Sequence, residues 1–138
     1  MRLLALDIGR KRIGVAVSDP LQLIATPLQT IPAAFLRDFI ADYLSREPVE
    51  AFILGKPLQT DASPSESTQF VQMAINILKK NFPHIPIHLV DERYTSLIAE
   101  NAITQGGVKK KKLMQNKGMI DCVAATLILQ TYMQTLHS

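Results

Sequence analysis

The apolar positions change rhythm several times along the chain, and each change marks an element. Arg2 to Ile8 is almost continuously apolar and ends in Asp7-Ile8-Gly9, which predicts a central strand covered on both faces. Gly9 permits a tight turn. Lys11 to Ser18 then alternates, with Ile13, Val15 and Val17 on one side and Gly14, Ala16 and Ser18 on the other. That predicts a second strand and a hairpin. Asp19-Pro20 signals a turn. Leu21 to Thr30 is expected as a third strand, with Pro27 keeping it near a sheet edge.

The rhythm then shifts to helical spacing. Pro32 is expected to open a helix whose inward stripe is Phe35, Leu36, Phe39, Ile40, Tyr43 and Leu44, and Pro48 stops it. Val49 to Gly55 reads as a strand and Lys56 to Ala62 as a loop. Ser63-Pro64-Ser65-Glu66 has the spacing of a capping box. The helix after it turns Phe70, Val71, Ala74, Ile77 and Leu78 inward. Ile87 to Val90 is a fifth strand, ending in Asp91-Glu92-Arg93. Thr95 or Ser96 can cap a short helix reaching Gln105, which Gly106 and Gly107 end. A last helix from about Lys117 to Leu136 is expected to bury Ile120, Val123, Ala124, Leu127 and Ile128.

The order βββαβαβαα predicts an α/β protein with a mixed sheet covered by helices. The chain has 138 residues, the size of one domain spanning 1–138, and shows no repeat or linker. No apolar stretch reaches the length of a membrane span. Asp7 interrupts the apolar start before a signal-peptide core forms, so a cytoplasmic protein is expected, with no membrane partner.

Charge adds a second layer. The net charge is +3, but Lys109 to Lys112 with Lys117 place five cations within nine residues, and Arg10, Lys11 and Arg12 form another cluster. Solvated loops explain such runs; so does contact with a phosphate backbone. Cys122 is the only cysteine, which excludes an intramolecular disulfide and a cysteine metal cluster. It is expected as a small buried core residue. His84, His88 and His137 lack metal-ligand spacing and read as surface residues.

Three acidic positions stand out against this frame. Asp7 ends the most apolar segment, where a carboxylate is costly unless it is hydrogen-bonded or holds a cation. A turn-stabilising role beside Gly9 is its plain explanation. Asp91 and Glu92 end another strand, and neighbouring side chains there point to opposite faces, so only one can join Asp7. Arg93 can pair with the other or meet a phosphate. Asp121 lies near the start of the last helix, where an acid also complements the helix dipole. Lys117, four residues earlier, can pair with it or face the same phosphate. Three converging carboxylates would repel one another unless a hard divalent cation joins them. Oxygen ligation favours Mg²⁺ or Mn²⁺, one or two ions, and such a site can hydrolyse a phosphodiester.

Four segments, in order, carry a family resemblance. They are Asp7-Ile8-Gly9-Arg10-Lys11-Arg12-Ile13-Gly14-Val15-Ala16-Val17-Ser18-Asp19, Gly55-Lys56-Pro57-Leu58, Asp91-Glu92-Arg93-Tyr94-Thr95-Ser96, and Lys117-Gly118-Met119-Ile120-Asp121-Cys122-Val123-Ala124-Ala125. Together they resemble the YqgF family, also called RuvX, described as Holliday junction resolvases and pre-16S rRNA nucleases. The resemblance spans essentially the whole chain. It implies an RNase H-like fold with a five-stranded mixed sheet flanked by helices. It also implies catalytic and metal-binding acids at Asp7, Glu92 (with Asp91 as its alternative) and Asp121. Arg10, Lys11, Arg12, Lys56, Arg93 and Lys117 are the candidate substrate contacts. The family link is to maturation of the 5′ end of 16S ribosomal RNA, so precursor ribosomal RNA is the favoured partner and structured DNA the other. The segment Lys56-Pro57-Leu58-Gln59-Thr60-Asp61-Ala62 departs from the family's usual apolar residue and Asn after the glycine.

Three other readings compete with an RNA nuclease. A DNA junction resolvase would use the same acids and require a dimer; no coiled-coil seam is evident, so a monomer or weak homodimer is expected. A binding module would keep the basic surface without turnover. The Asp-x-Gly hairpin also resembles actin-like and sugar-kinase ATPases, which bind nucleotide between two such domains, and this chain is too short for two.

Overall fold

The structure, a computed structural model, describes residues 1–56, 66–91 and 117–136. Five strands form one sheet: β1 (Arg2–Ile8), β2 (Arg12–Ser18), β3 (Ala25–Pro32), β4 (Val49–Lys56) and β5 (Ile87–Asp91). Their spatial order is β3-β2-β1-β4-β5. The first three strands are antiparallel neighbours, whereas β4 runs parallel to β1 and β5 parallel to β4. Three helices complete the described fold: α1 (Leu36–Arg46), α2 (Glu66–Asn81) and α3 (Lys117–Leu136). No helix among the described residues is long and apolar enough to cross a membrane.

β1 is central because nearly every residue in it is apolar. Leu3, Leu4, Ala5 and Leu6 are all fully buried. Alternation sends Leu4, Leu6 and Ile8 to one face, where they meet α1 and α2 through Ile40, Val71 and Leu78. It sends Leu3 and Ala5 to the other, where Ala125, Ile128, Leu129 and Met133 of α3 cover them. The sheet is thus a middle layer between α1/α2 and α3.

The hairpin between β1 and β2 closes through the Gly9 N–H, which donates to the Arg12 carbonyl at 3.0 Å. A Cβ at Gly9 would stand 2.7 Å from that same oxygen, so glycine is required by close approach. At the other end of the hairpin the ladder ends at Leu4 and Val17. There the buried Ser18 hydroxyl accepts the Leu3 N–H at 2.8 Å and donates to the Asp19 carbonyl at 2.9 Å.

Two expected boundaries are corrected. The third strand begins at Ala25, not Leu21. The Asp19 carboxylate accepts the N–H groups of Leu23 (2.7 Å), Ile24 (2.8 Å) and Leu21 (3.3 Å), which holds these residues in a turn. Gln22 completes it in the left-handed region at φ 59°. Leu21, Leu23 and Ile24 are therefore exposed. The second correction concerns Pro32, expected to open a helix. It is extended (φ −63°, ψ 140°) and is the last residue of β3, paired with Arg12. The Ala33 N–H still reaches the Lys11 carbonyl at 2.9 Å. A 3-10 turn over Ala33–Phe35 follows, and α1 proper starts at Leu36. Phe35 precedes that start and is exposed, while Leu36, Ile40 and Tyr43 are buried as expected and Phe39 and Leu44 are partly so.

The inward face of α2 agrees with its pattern and adds Ile75. In α3, Leu127 and Ile128 are buried as expected, but Val123 and Ala124 are only half-buried and Ala125, Leu129 and Met133 take the core positions. The run from Val123 to Leu129 is apolar almost all round, so its period does not select a face; docking on Leu3 and Ala5 does. The capping box at Ser63, the helix to Gln105 and the run Lys109 to Lys112 lie outside the described residues.

Candidate active site

The carboxyl ends of β1, β4 and β5 come together at one edge. β1 ends there with Asp7 and Ile8, and β4 ends with Gly55 and Lys56 beside it. Lys56 pairs with Asp91, the last residue of β5. Ligand sites of open α/β sheets lie beyond such ends. Asp7 is half-buried between the apolar Leu6 and Ile8. Arg10, Lys11 and Arg12 are exposed in the hairpin turn that follows it, and Lys56 is exposed as well. Five of the candidate positions, Asp7, Arg10, Lys11, Arg12 and Lys56, thus cluster at this edge.

Register places Asp7 more sharply. It pairs with Gly14, and Gly14 pairs with Thr30, so the three form one row across β1, β2 and β3. Their odd-even parity in β1 and β2 is that of Ala5 and Ala16, which meet α3. The row therefore faces α3. Thr30 Oγ1 lies 3.1 Å from Cys122 Sγ near the start of that helix. Gly14 contributes no side chain to the row. At ordinary strand spacing Thr30 stands about 10 Å from Asp7.

Further along, Tyr132 of α3 stacks on His88 of β5 with ring centroids 5.2 Å apart. α3 therefore crosses the sheet from β3 at Cys122 to β5 at Tyr132. Its opening turns, which include Lys117 and Asp121, lie at the β3 end of that crossing, toward the level of the Asp7 row. Glu92 and Arg93 fall outside the described residues. Among the described residues, no group of three His, Cys, Asp or Glu side chains gathers to hold a metal ion.

Two expectations about side chains are settled here. Cys122, expected as a buried core residue, is half-buried, because it covers the Thr30 end of the row and not the apolar centre of the sheet. His84 and His88 are exposed as expected. Thr30 has no role in the sequence pattern. Only the register of two successive hairpins brings it onto the Asp7 row.

The element order and the mixed sheet with β1 at its centre define an RNase H-like domain, and the family matched over nearly the whole chain makes it a nuclease, a hydrolase of phosphodiester bonds. The chain belongs to the RuvX family, whose profile, described as Holliday junction resolvase, matches residues 1–135. It is 46% identical over 134 residues to a Bacteroides thetaiotaomicron protein provisionally named pre-16S rRNA nuclease, covering 97% of this chain and 96% of that one. A Phocaeicola vulgatus protein of the same provisional name is 47% identical over 134 residues, with the same coverage of 97% and 96%. Among solved structures, the fold is similar to Thermus thermophilus RuvC. One structure of that protein in complex with Holliday junction substrate gives a TM-score of 0.58 at 14% identity, covering 98% of this chain and 96% of that chain. Another gives 0.53 at 13% identity, covering 98% of each.

Proposed function

We propose that this nuclease processes the 5′ end of precursor 16S ribosomal RNA in the cytoplasm, as a monomer or weak homodimer, with Asp7, Glu92 and Asp121 as its catalytic and metal-holding acids. The observation that carries the reading is the Asp7–Gly14–Thr30 row, whose Thr30 end meets Cys122 of α3. It brings the opening of α3, where Asp121 precedes Cys122 by one residue, to the side of the sheet that Asp7 shares. In β5, His88 stacks on α3 and Val90 joins the α3 cluster, so even numbers carry that face. Glu92 is taken as the third acid from the family resemblance, with Asp91 as its alternative.

The donor set fits a divalent cation. It offers carboxylate oxygen only, which suits Mg²⁺ or Mn²⁺. Asp7 is also half-buried among apolar neighbours, where a cation offsets the cost of its charge. Such an ion, when bound, supplies an activated water and charge stabilisation at the leaving oxygen. The chain's own groups do the rest. Asp7 fixes the reacting phosphate at the end of β1. Arg10, Lys11 and Arg12 hold flanking phosphates along the hairpin turn, with Lys56, Arg93 and Lys117 as further cationic contacts. In the reaction, water oxygen bonds to phosphorus, the bond to the leaving nucleotide oxygen breaks, and that oxygen takes up a proton.

The deciding experiment offers a labelled precursor ribosomal RNA leader and a four-way DNA junction in parallel, each with Mg²⁺, Mn²⁺ or chelator. Metal-dependent cutting of the RNA, lost in Asp7→Asn, is the expected result. Selective cutting of the junction would replace RNA by structured DNA as the substrate. Cutting of neither, by protein that still binds metal, would overturn the catalytic reading in favour of a binding module.

A further inference from the structure

A depression opens on the face of the sheet opposite α3. It encloses about 610 Å³ between the β1–β2 turn, the 3-10 turn before α1, and α2. Small-ligand sites commonly span about 300–1,000 Å³, with an apolar lining and a few polar groups. Ile8, Ile13, Phe70, Met73 and Ile77 supply the apolar lining here. Met73 is 58% exposed, which is unusual for an apolar side chain facing a cavity and marks the open side.

Charge around this cavity is one-sided. Among the described residues, Arg10, Arg37 and Lys80 line it with one acid, Asp38. The Asp38 carboxylate lies 3.3 Å from the Arg37 guanidinium, and both are well exposed, so solvent leaves most of the cationic character in place. Asn76 and Asn81 add amide groups. Each commits one atom to a bond within α2, Asn76 Oδ1 to Gln72 and Asn81 Nδ2 to the Ile77 carbonyl, and carries a second amide atom that can meet a base edge. An apolar lining under a cationic rim suits a flat ring that carries a phosphate.

Position supplies the link to the catalytic edge. Ile8, Gly9 and Arg10 line the cavity and directly follow Asp7 in the chain. The cavity thus begins one residue past the proposed catalytic acid, on the α1/α2 side. Arg10 stands in the turn between Asp7 and the depression, where it can contact a strand that reaches from one to the other.

We propose that this cavity takes one unpaired nucleotide next to the scissile phosphate. Its base packs against Phe70 and Met73, and its phosphate lies between Arg37 and Lys80. The proposal rests on the nuclease reading, which is what brings a strand to this end of the sheet. Its selectivity is for single-stranded flanks, because a base held in a duplex is not free to turn into the depression.

The test reads binding, not cutting. Protein with labelled Ile and Met methyl groups is titrated in chelator with a short single-stranded RNA and with a duplex of the same sequence. The methyls of Met73, Ile77 and Ile8 should shift with the single strand and show contacts to base protons. Met73→Glu and Arg37→Glu should each weaken the single strand by about tenfold, the scale of one lost stacked base. The proposal is overturned if the single strand does not bind, if it binds without moving those methyls, or if both variants stay within about twofold of wild type. Wild type that cuts RNA with Mg²⁺ but leaves the methyls unmoved rejects the cavity alone. Shifts at the cavity in a protein that cuts nothing reject the nuclease reading and retain the nucleotide site.

Discussion

Thr30 Oγ1 and Cys122 Sγ lie 3.1 Å apart, joining the edge strand β3 to the opening of α3. The contact matters because Thr30 shares a row with Asp7. It ties the opening turns of α3 to the β3 end of the row that Asp7 begins. Thr30→Val keeps the shape and removes the hydroxyl. It should lower stability by about 0.5–1.5 kcal/mol in urea unfolding. If the contact positions α3, the variant should also lose kcat at unchanged KM, and Thr30→Ser should restore both. An unaltered kcat would make the contact purely structural.

Asp7→Asn removes the charge and keeps the volume. Because Asp7 is only half-buried and sits at a strand end, the fold should survive, with a Tm close to wild type. Loss of a carboxylate that holds a catalytic cation should cost cleavage at least about 100-fold, or 2.7 kcal/mol. Divalent metal should raise the wild-type Tm and have less effect on the variant. Equal stabilisation of both proteins by metal would count against Asp7 as a ligand.

Ser18 is the one buried polar side chain among the described residues. Its hydroxyl takes the Leu3 N–H just where the β1–β2 ladder ends. Ser18→Ala leaves that buried donor without its partner, at a cost of about 1–3 kcal/mol. Amide exchange at Leu3 should accelerate in the variant. Unchanged exchange at Leu3 would show that another acceptor takes the bond.

The Asp19 turn should loosen in acid. Its carboxyl is held below the ordinary value of 3.8, chiefly by the hydrogen bond from Ile24; desolvation opposes this, and the N–H groups of Leu23, Asp19 and Leu21 add to the lowering. A depressed folded value means that the stabilisation is fully present above the unfolded carboxyl value and is lost as pH falls through the folded one. The stability contributed by Asp19 therefore disappears below about pH 3.8. Asp19→Asn should flatten that part of the acid limb, as read from urea midpoints against pH. An acid limb identical to wild type would remove the carboxylate from the account.

Much of this protein is legible in its amino-acid sequence because local patterns have local causes. The apolar run of Arg2 to Ile8 demanded a strand covered on both faces, and it is the centre of the sheet. Alternation around Ile13, Val15 and Val17 set β2, and the four motif segments led to the family and to Asp7. Boundaries governed by side-chain capture were less visible. Asp19 draws the N–H groups of Leu21, Leu23 and Ile24 into a turn, and nothing in the apolar pattern distinguishes those residues from strand. Pro32 has a φ compatible with either a helix start or an extended strand end, and only pairing with Arg12 decides between them.

What the tertiary structure alone decided is which distant residues share a place. The face that α3 buries was undetermined in a segment apolar almost all round, until Leu3 and Ala5 offered it a surface. The row of Asp7, Gly14 and Thr30 arises from the register of two hairpins, and register is a property of pairing, not of any one segment. The cavity between the β1–β2 turn and α2 likewise combines Arg10, Arg37 and Lys80, which no spacing in the chain connects. The sequence determined the strands and the acid at the end of the first one, because burial and turn chemistry act over a few residues. The packing of α3 and the cavity waited for the fold, because they depend on surfaces that exist only once the sheet is assembled.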